Sequence, residues 1–164
     1  MYFYELIDNG GDVAGGGYDN YGMFFDNGLN GAAAAKPAAT AFKNLISIMS
    51  DTSSTFTLGT LPYSVAGLPA YNGSTQGGGY SLLFQKSNGR FEIIVWNEPV
   101  IYNESTNSPV TPTAVPVTVN LGGTHGTVNV YDPLVGTTPI TTLSNVSSVP
   151  LSLVKDPFIV EVIN

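Results

Sequence analysis

The chain contains no cysteine. That excludes a disulfide framework, a thiolate zinc site and a cysteine nucleophile. Histidine occurs once, at His125, so a histidine cluster for zinc is excluded too. Charge is scarce: charged residues are 10% of the 164, well below the usual share in soluble domains. Five are basic and twelve acidic, a net charge of −7. Nucleic acid and anionic membrane surfaces need clustered Lys and Arg, so neither is an expected partner. No apolar run reaches membrane-spanning length. The first residues lack a basic n-region and a cleavage site, so they do not read as a signal peptide.

What the chain does have is a 43% hydrophobic share, 19 Gly and 11 Pro, with many Ser, Thr and Asn. This is the composition of an all-β, loop-rich, often extracellular domain. The length fits one domain, or one domain plus a remnant of another. Residues 80–98 are the organising stretch. Two β-prone runs flank Asn88-Gly89, a pair that suits a two-residue type I′ turn. That turn puts Ser87 opposite Arg90, Gln85 opposite Glu92, Leu83 opposite Ile94 and Ser81 opposite Trp96. Leu82, Phe84, Phe91, Ile93 and Val95 then share an apolar face that belongs in a core. The other face is polar near the turn and apolar at Leu83, Ile94 and Trp96, which predicts a partial cover on that side.

Residues 2–7 read as a strand, and residues 8–31 as a long loop with a short strand near residues 22–25. A helix is expected over 37–50, with Pro37 in its first turn. Ala38, Ala41, Phe42, Leu45, Ile48 and Met49 recur at helical spacing and form its apolar face. From residue 61 onward the signals are β. Strands are expected near 63–66, in the 80–97 hairpin, at 115–121, 127–131, 140–143, 149–153 and 158–163. Residues 100–102 extend the sheet, residues 71–79 are a glycine-rich loop, and residues 122–126 are a turn. About eight or nine strands with short connections imply mostly antiparallel pairing. The predicted architecture is mainly β: an antiparallel, immunoglobulin-like β-sandwich over 56–164, preceded by one strand, a long loop and one α-helix over 1–55.

Candidate sites are few. Trp96-Asn97-Glu98-Pro99 carries an Asn-Glu-Pro motif like the acid/base signature of many barrel glycosidases. That chemistry needs a second carboxylate, such as Glu5, Asp8 or Asp132, at glycosidase separation. It also needs parallel βα units, whereas Glu98 ends a hairpin strand. The alternative is a strand-end residue beside a proline. Asp8, Asp12 and Asp19 offer oxygen ligands for calcium in a loop without EF-hand spacing, and they are also ordinary turn residues. Tyr18, Tyr21, Tyr63, Tyr71, Tyr80, Trp96 and Tyr102 can supply faces for sugar rings, or pack the core and rim of a sandwich. His125 sits in a Gly-rich turn with no nucleophile elbow. Gly15–Gly17 and Gly77–Gly79 lack the setting of a phosphate cradle.

The order of these elements resembles the end of a (β/α)₈-barrel glycoside hydrolase. Residues 4–8 look like the last barrel strand. A loop with Tyr21-Gly22-Met23-Phe24-Phe25 follows, and Lys36-Pro37-Ala38-Ala39 opens a closing helix. Residues 80–98, 127–133 and 157–163 are similar to the C-terminal β-sandwich that packs against such barrels. The resemblance implies a secreted or periplasmic parent enzyme whose catalytic acids lie on earlier barrel strands, outside this chain. Glu5, Asp8, Tyr18 and Tyr21 would border a sugar subsite. Leu83, Ile94 and Trp96, with the helix face, would be the barrel contact, and when exposed a route to self-association.

The expected function is therefore a non-catalytic β-sandwich module of a polysaccharide-degrading enzyme, binding polysaccharide or oligosaccharide through Tyr18, Tyr21, Tyr71, Trp96 and Tyr102. No cofactor is required, with calcium at Asp8, Asp12 and Asp19 as the option. The alternatives are a self-assembling structural fragment, forming a homo-oligomer through the barrel-facing surface, and a small glycosidase using Glu98.

Overall fold

The computed structural model describes residues 6–8, 22–25, 34–53, 55, 57–72 and 76–163. The chain is mainly β with antiparallel sheets, arranged as a sandwich and preceded by a strand segment and one helix. Two-residue strands β1 (Phe24–Phe25) and β2 (Ala34–Ala35) pair antiparallel, and Ile7 bridges Phe24 in parallel. Helix α1 (Pro37–Met49) follows, with Pro at its start as expected. The main sheet contains β3 (Ser64–Ala66), β4 (Gln76–Gln85), β5 (Phe91–Pro99), β8 (Val115–Tyr131), β9 (Thr141–Leu153) and β10 (Phe158–Ile163). Strands β6 (Tyr102–Asn103) and β7 (Ser108–Pro109) form a separate ribbon, so residues 100–102 do not extend the main sheet.

The 80–98 hairpin forms, but its register differs by one residue from the sequence expectation. Leu83 faces Ile93, Leu82 faces Ile94 and Tyr80 faces Trp96. The loop has three residues rather than two. Lys86 N–H donates to Arg90 O, Gly89 N–H donates to Lys86 O, and Gly89 takes φ +84°. This is a type I turn closed by a left-handed glycine, the G1-bulge solution for three-residue hairpins. A one-residue slip moves every β4 side chain to the opposite face. Leu83, not Leu82 or Phe84, therefore packs with Phe91, Ile93 and Val95 on the core side. Leu82 and Phe84 are 50% and 42% exposed.

The core is made by one sheet folding over on itself. Strand β8 runs through residues 122–126, where the sequence suggested a reversal. Up to residue 120 it pairs with β9 in the register Val115–Leu153; from 125 onward the register is His125–Val146, so β8 carries three extra residues at the irregularity. An odd number of extra residues switches the inward parity. Val117, Val119 and Leu121 are buried before the bend, and Val128 and Val130 after it. Strands that turn a corner through a bulge can serve both layers of a sandwich. The first half of β8 pairs with β3 and the end of β9; the second half pairs with β10 and the start of β9. Both halves contribute to one cluster with Ile93, Val95, Val149, Leu153, Val160 and Val162. The expected strands at 140–143 and 149–153 are likewise one strand, β9.

The other face of β5 and β10 is partly covered by α1. Ile48 on the helix packs with Tyr131 and Ile159, flanked by Leu45, Met49 and Ile94. Asn44 Nδ2 donates to Pro133 O at 2.8 Å and fixes the helix to the turn after β8. The apolar spacing that predicted the helix thus also marks the side it buries, except that Ala38 is exposed.

Candidate functional site

Alternation along β5 and β10 places two acids side by side under the helix. Glu92 and Glu161 are register partners, 1% and 2% exposed. Charged groups at that depth need partners. Glu161 accepts three side-chain hydrogen bonds: from Arg90 Nη1 at 3.1 Å on Oε1, and from Asn129 Nδ2 at 2.9 Å and Tyr131 OH at 3.0 Å on Oε2. Thr142 Oγ1 in turn donates to Asn129 Oδ1 at 2.8 Å, which turns the Asn129 amide nitrogen toward Glu161. Glu92 is paired with Lys86, whose Nζ lies 2.7 Å from Oε1. That contact has ion-pair distance without hydrogen-bond direction, and neither Glu92 oxygen accepts a directed hydrogen bond among the described residues.

The two acids consequently titrate in opposite directions. Burial pushes the Glu92 carboxyl up, Lys86 works against this, and the Glu161 charge adds to it. Burial also acts upward on Glu161, but hydrogen bonds from Asn129, Arg90 and Tyr131 outweigh it and hold the group below its usual range. Tyr131 is pushed up to about 12, by burial first and then by the Glu161 charge.

This cluster also fastens the helix. Lys86 Nζ donates to Ile48 O in the last turn of α1, where a cation opposes the negative helix end. Just beyond the helix, Asp51 Oδ2 accepts from Ser87 N–H at 2.6 Å and Oδ1 from Ser87 Oγ at 2.5 Å. The hairpin turn therefore grips the helix end from two sides. Two acids opposed in pKa can be an acid/base pair. Here Lys86 and Arg90 face them and helix, strand and turn enclose them, an arrangement that holds elements together.

The exposed chemistry lies at the far end of the hairpin. Tyr80 and Trp96 are register partners with ring centroids 5.5 Å apart and planes tilted by 33°. Trp96 Nε1–H donates to Glu98 Oε1 at 3.1 Å, and Tyr80 OH donates to Gly77 O at 3.1 Å. Both polar handles are thereby tied back, and the rings are fixed. Residues 77–79 are part of β4 here, not a loop. Gly78 has φ +100°, and a Cβ there would lie 3.1 Å from Tyr80 OH and 3.3 Å from Tyr71 N. Gly78 thus lies close to both the Tyr71 backbone and the Tyr80 ring. The Tyr71 side chain is 69% exposed and Tyr80 is 41% exposed.

The sequence candidates fall out as follows. Trp96 pairs with Tyr80, and the Tyr71 backbone lies near Gly78, two residues before Tyr80. Tyr102 stands on the β6–β7 ribbon, exposed, with its OH donating to Asn107 Oδ1. Tyr18, Tyr21, Asp12, Asp19 and Glu5 lie outside the described residues. Asp8 is buried, and its Oδ1 accepts from Gly22 N–H at 2.9 Å and pairs with Lys36 Nζ at 2.5 Å. A cation there would have to displace Lys36. Among the described residues no group of three or more His, Asp or Glu converges on a common point. Glu98 is exposed and engaged with the indole of Trp96. Asp132 Oδ1 accepts from Leu134 N–H at 2.9 Å as a turn residue. Of the expected barrel contacts, Leu83 is in the sandwich core and Ile94 lies beneath α1. Glu92 and Glu161 were not singled out by sequence, although each sits alone in an apolar run, the one available sign of a buried charge.

No family model matches the chain, and neither a curated protein nor a solved structure matches it.

Proposed function

We propose that this chain is a non-catalytic β-sandwich module of a secreted polysaccharide-degrading enzyme, and that it engages polysaccharide at the Tyr71, Tyr80 and Trp96 corner. The observation that carries the reading is the Tyr80–Trp96 pair, with Glu98 accepting from the indole N–H and the exposed Tyr71 close in the backbone to Gly78. Aromatic faces offer apolar area to the C–H side of a sugar ring, and neighbouring polar groups take its hydroxyls. Rings already tied in place lose little conformational freedom on binding. The order of strand segment, helix and sandwich supports the likeness to the end of a barrel enzyme.

Affinity gel electrophoresis over soluble plant and microbial polysaccharides tests this reading. Retardation on at least one, reduced at least tenfold in apparent affinity in Trp96→Ala and Tyr80→Ala, is expected. Unretarded migration of the wild type on every polysaccharide would remove the binding function. A glycosidase reading using Glu98 has a separate test: aryl-glycoside hydrolysis that disappears in Glu98→Gln.

A further inference from the structure

Strand β4 closes the described sheet, with β5 on one side and no strand on the other. Which of its backbone groups face outward follows from two hydrogen bonds. Lys86 N–H donates to Arg90 O inside the hairpin, and Gly79 N–H donates outward to Pro69 O. Even-numbered residues of β4 therefore bond to β5, and Ser81, Leu83 and Gln85 present their N–H and C=O at the edge. Among the described residues no backbone hydrogen bond reaches those three outward N–H groups.

The 57–59 segment reaches the turn end of this edge through the Gln85 side chain, whose Oε1 accepts from Gly59 N–H at 2.8 Å and whose Nε2 donates to Thr57 O at 3.1 Å. Along the strand itself the described residues lack the usual protection. From Gln76 to Gln85 there is no charged residue and no proline, the devices by which natural edges avoid strand addition. The β-bulge lies at the Gln76–Gly79 end only. Beside the edge, Tyr80, Leu82 and Phe84 expose an apolar strip on the face that α1 leaves open.

We propose that two copies of this chain pair antiparallel through β4, in a two-fold register centred on Leu83. The register is dictated by which groups are free. Centring on Ser81 would require the N–H of Gly79, which Pro69 already holds. Centring on Gln85 runs the partner strand into the 87–89 turn. Centring on Leu83 pairs Ser81 with Gln85 of the second copy, Leu83 with its own equivalent, and Gln85 with Ser81. All three outward residues are then satisfied on both strands. Leu82 lies opposite Phe84 of the second copy at a non-hydrogen-bonded position, where side chains approach most closely. The two apolar strips become one, across the symmetry axis. Each copy carries a net −7, yet residues 76–85 contribute no charge, so the contact opposes no like charges there. The proposal does not rest on polysaccharide binding.

The chain has no cysteine, so introduced cysteines read the register directly. Leu82→Cys and Phe84→Cys are prepared separately, each at an exposed position, and oxidised alone and as an equal mixture. Opposed Cα atoms about 4.5 Å apart fall within disulfide range. A disulfide-linked dimer is expected in the mixture and in neither variant alone, because residue 82 meets residue 84 and never its own equivalent. Light scattering of the wild type should give twice the 17.2 kDa chain mass, and Phe84→Lys should weaken the dimer at least tenfold. A wild-type monomer at every soluble concentration would overturn the proposal. So would a dimer whose mixture cross-links no better than the single variants, since another surface would then be the contact.

Discussion

Glu92 and Glu161 stand opposite each other on β5 and β10, both buried, and their carboxyl groups shift in opposite directions. The difference lies in their donors. Glu161 collects three side-chain hydrogen bonds, whereas Glu92, paired with Lys86, accepts no directed hydrogen bond among the described residues. One acid is thus held ionised by its surroundings, and the other is made reluctant to ionise.

Glu161→Gln should destabilise the protein by about 2–3 kcal/mol at neutral pH, the scale of hydrogen bonds to a charged group left unmade. The sign with pH follows from the depressed folded value. The contribution is fully present above the usual 4.5 and is lost as pH falls through the lower folded pKa. Urea denaturation across acid pH should show the wild-type and Glu161→Gln curves converging only below that usual value. Glu92 acts with the opposite sign: its penalty is present at neutral pH and fades as pH falls through its raised folded pKa.

Tyr131 is pushed up to about 12, from the ordinary 10.0. Its neutral form is favoured in the fold, so it costs stability as pH rises between those two values, where only the unfolded chain ionises. In alkaline titration followed by tyrosinate absorbance, Tyr131→Phe should leave the transition near pH 10.0 unchanged while the protein remains folded. A reduced amplitude there would contradict the buried hydrogen bond to Glu161.

The bend in β8 depends on backbone shape. Gly122 has φ +70°, and a Cβ there would lie 2.4 Å from Pro62 O. Gly122→Ala should cost about 1–2 kcal/mol for the left-handed backbone alone, and more for the clash. Gly123 has nothing within 4 Å of its added Cβ, so Gly123→Ala should stay within about 0.5 kcal/mol of wild type. Thermal denaturation of the two variants gives the comparison.

Asp51 anchors the helix end to the hairpin turn, and the Ser87 hydrogen bonds hold its carboxyl below the usual value of 3.8. Asp51→Asn should speed amide exchange at Ser87 and in the last turn of α1, with little change in the sandwich strands. In the wild type the clamp persists above pH 3.8 and is lost as pH falls through the lower folded pKa.

Much of the fold was legible because the apolar periodicities are strong. The 3.6-residue pattern of Phe42, Leu45, Ile48 and Met49 marked both the helix and its buried side. Alternation in β8, β9 and β10 marked the strands, but not that two pairs of them are continuous. Gly122-Gly123 and the run 144–148 look like turns, and only the pairing across them shows that they bend a strand. The hairpin register lies one residue from the sequence expectation because Asn-Gly serves two loop lengths. Asn88 Oδ1 accepts from Arg90 N–H, and Gly89 takes the left-handed position, so the turn starts one residue earlier than a type I′ turn would. That single step hid the Tyr80–Trp96 pairing and the exposed strip of Leu82 and Phe84. Trp96 could be named from sequence as a ring-bearing residue, but its pairing with Tyr80 depends on the hairpin register.

Trp96 is the only tryptophan in the chain, so its emission reports on the proposed site without interference from a second indole. Intrinsic fluorescence titrated with the oligosaccharide of whichever polysaccharide retards the protein should change saturably, and Tyr80→Ala should weaken that change at least tenfold. Emission that stays constant while the sugar binds would place binding away from the Tyr80–Trp96 corner and contradict the account.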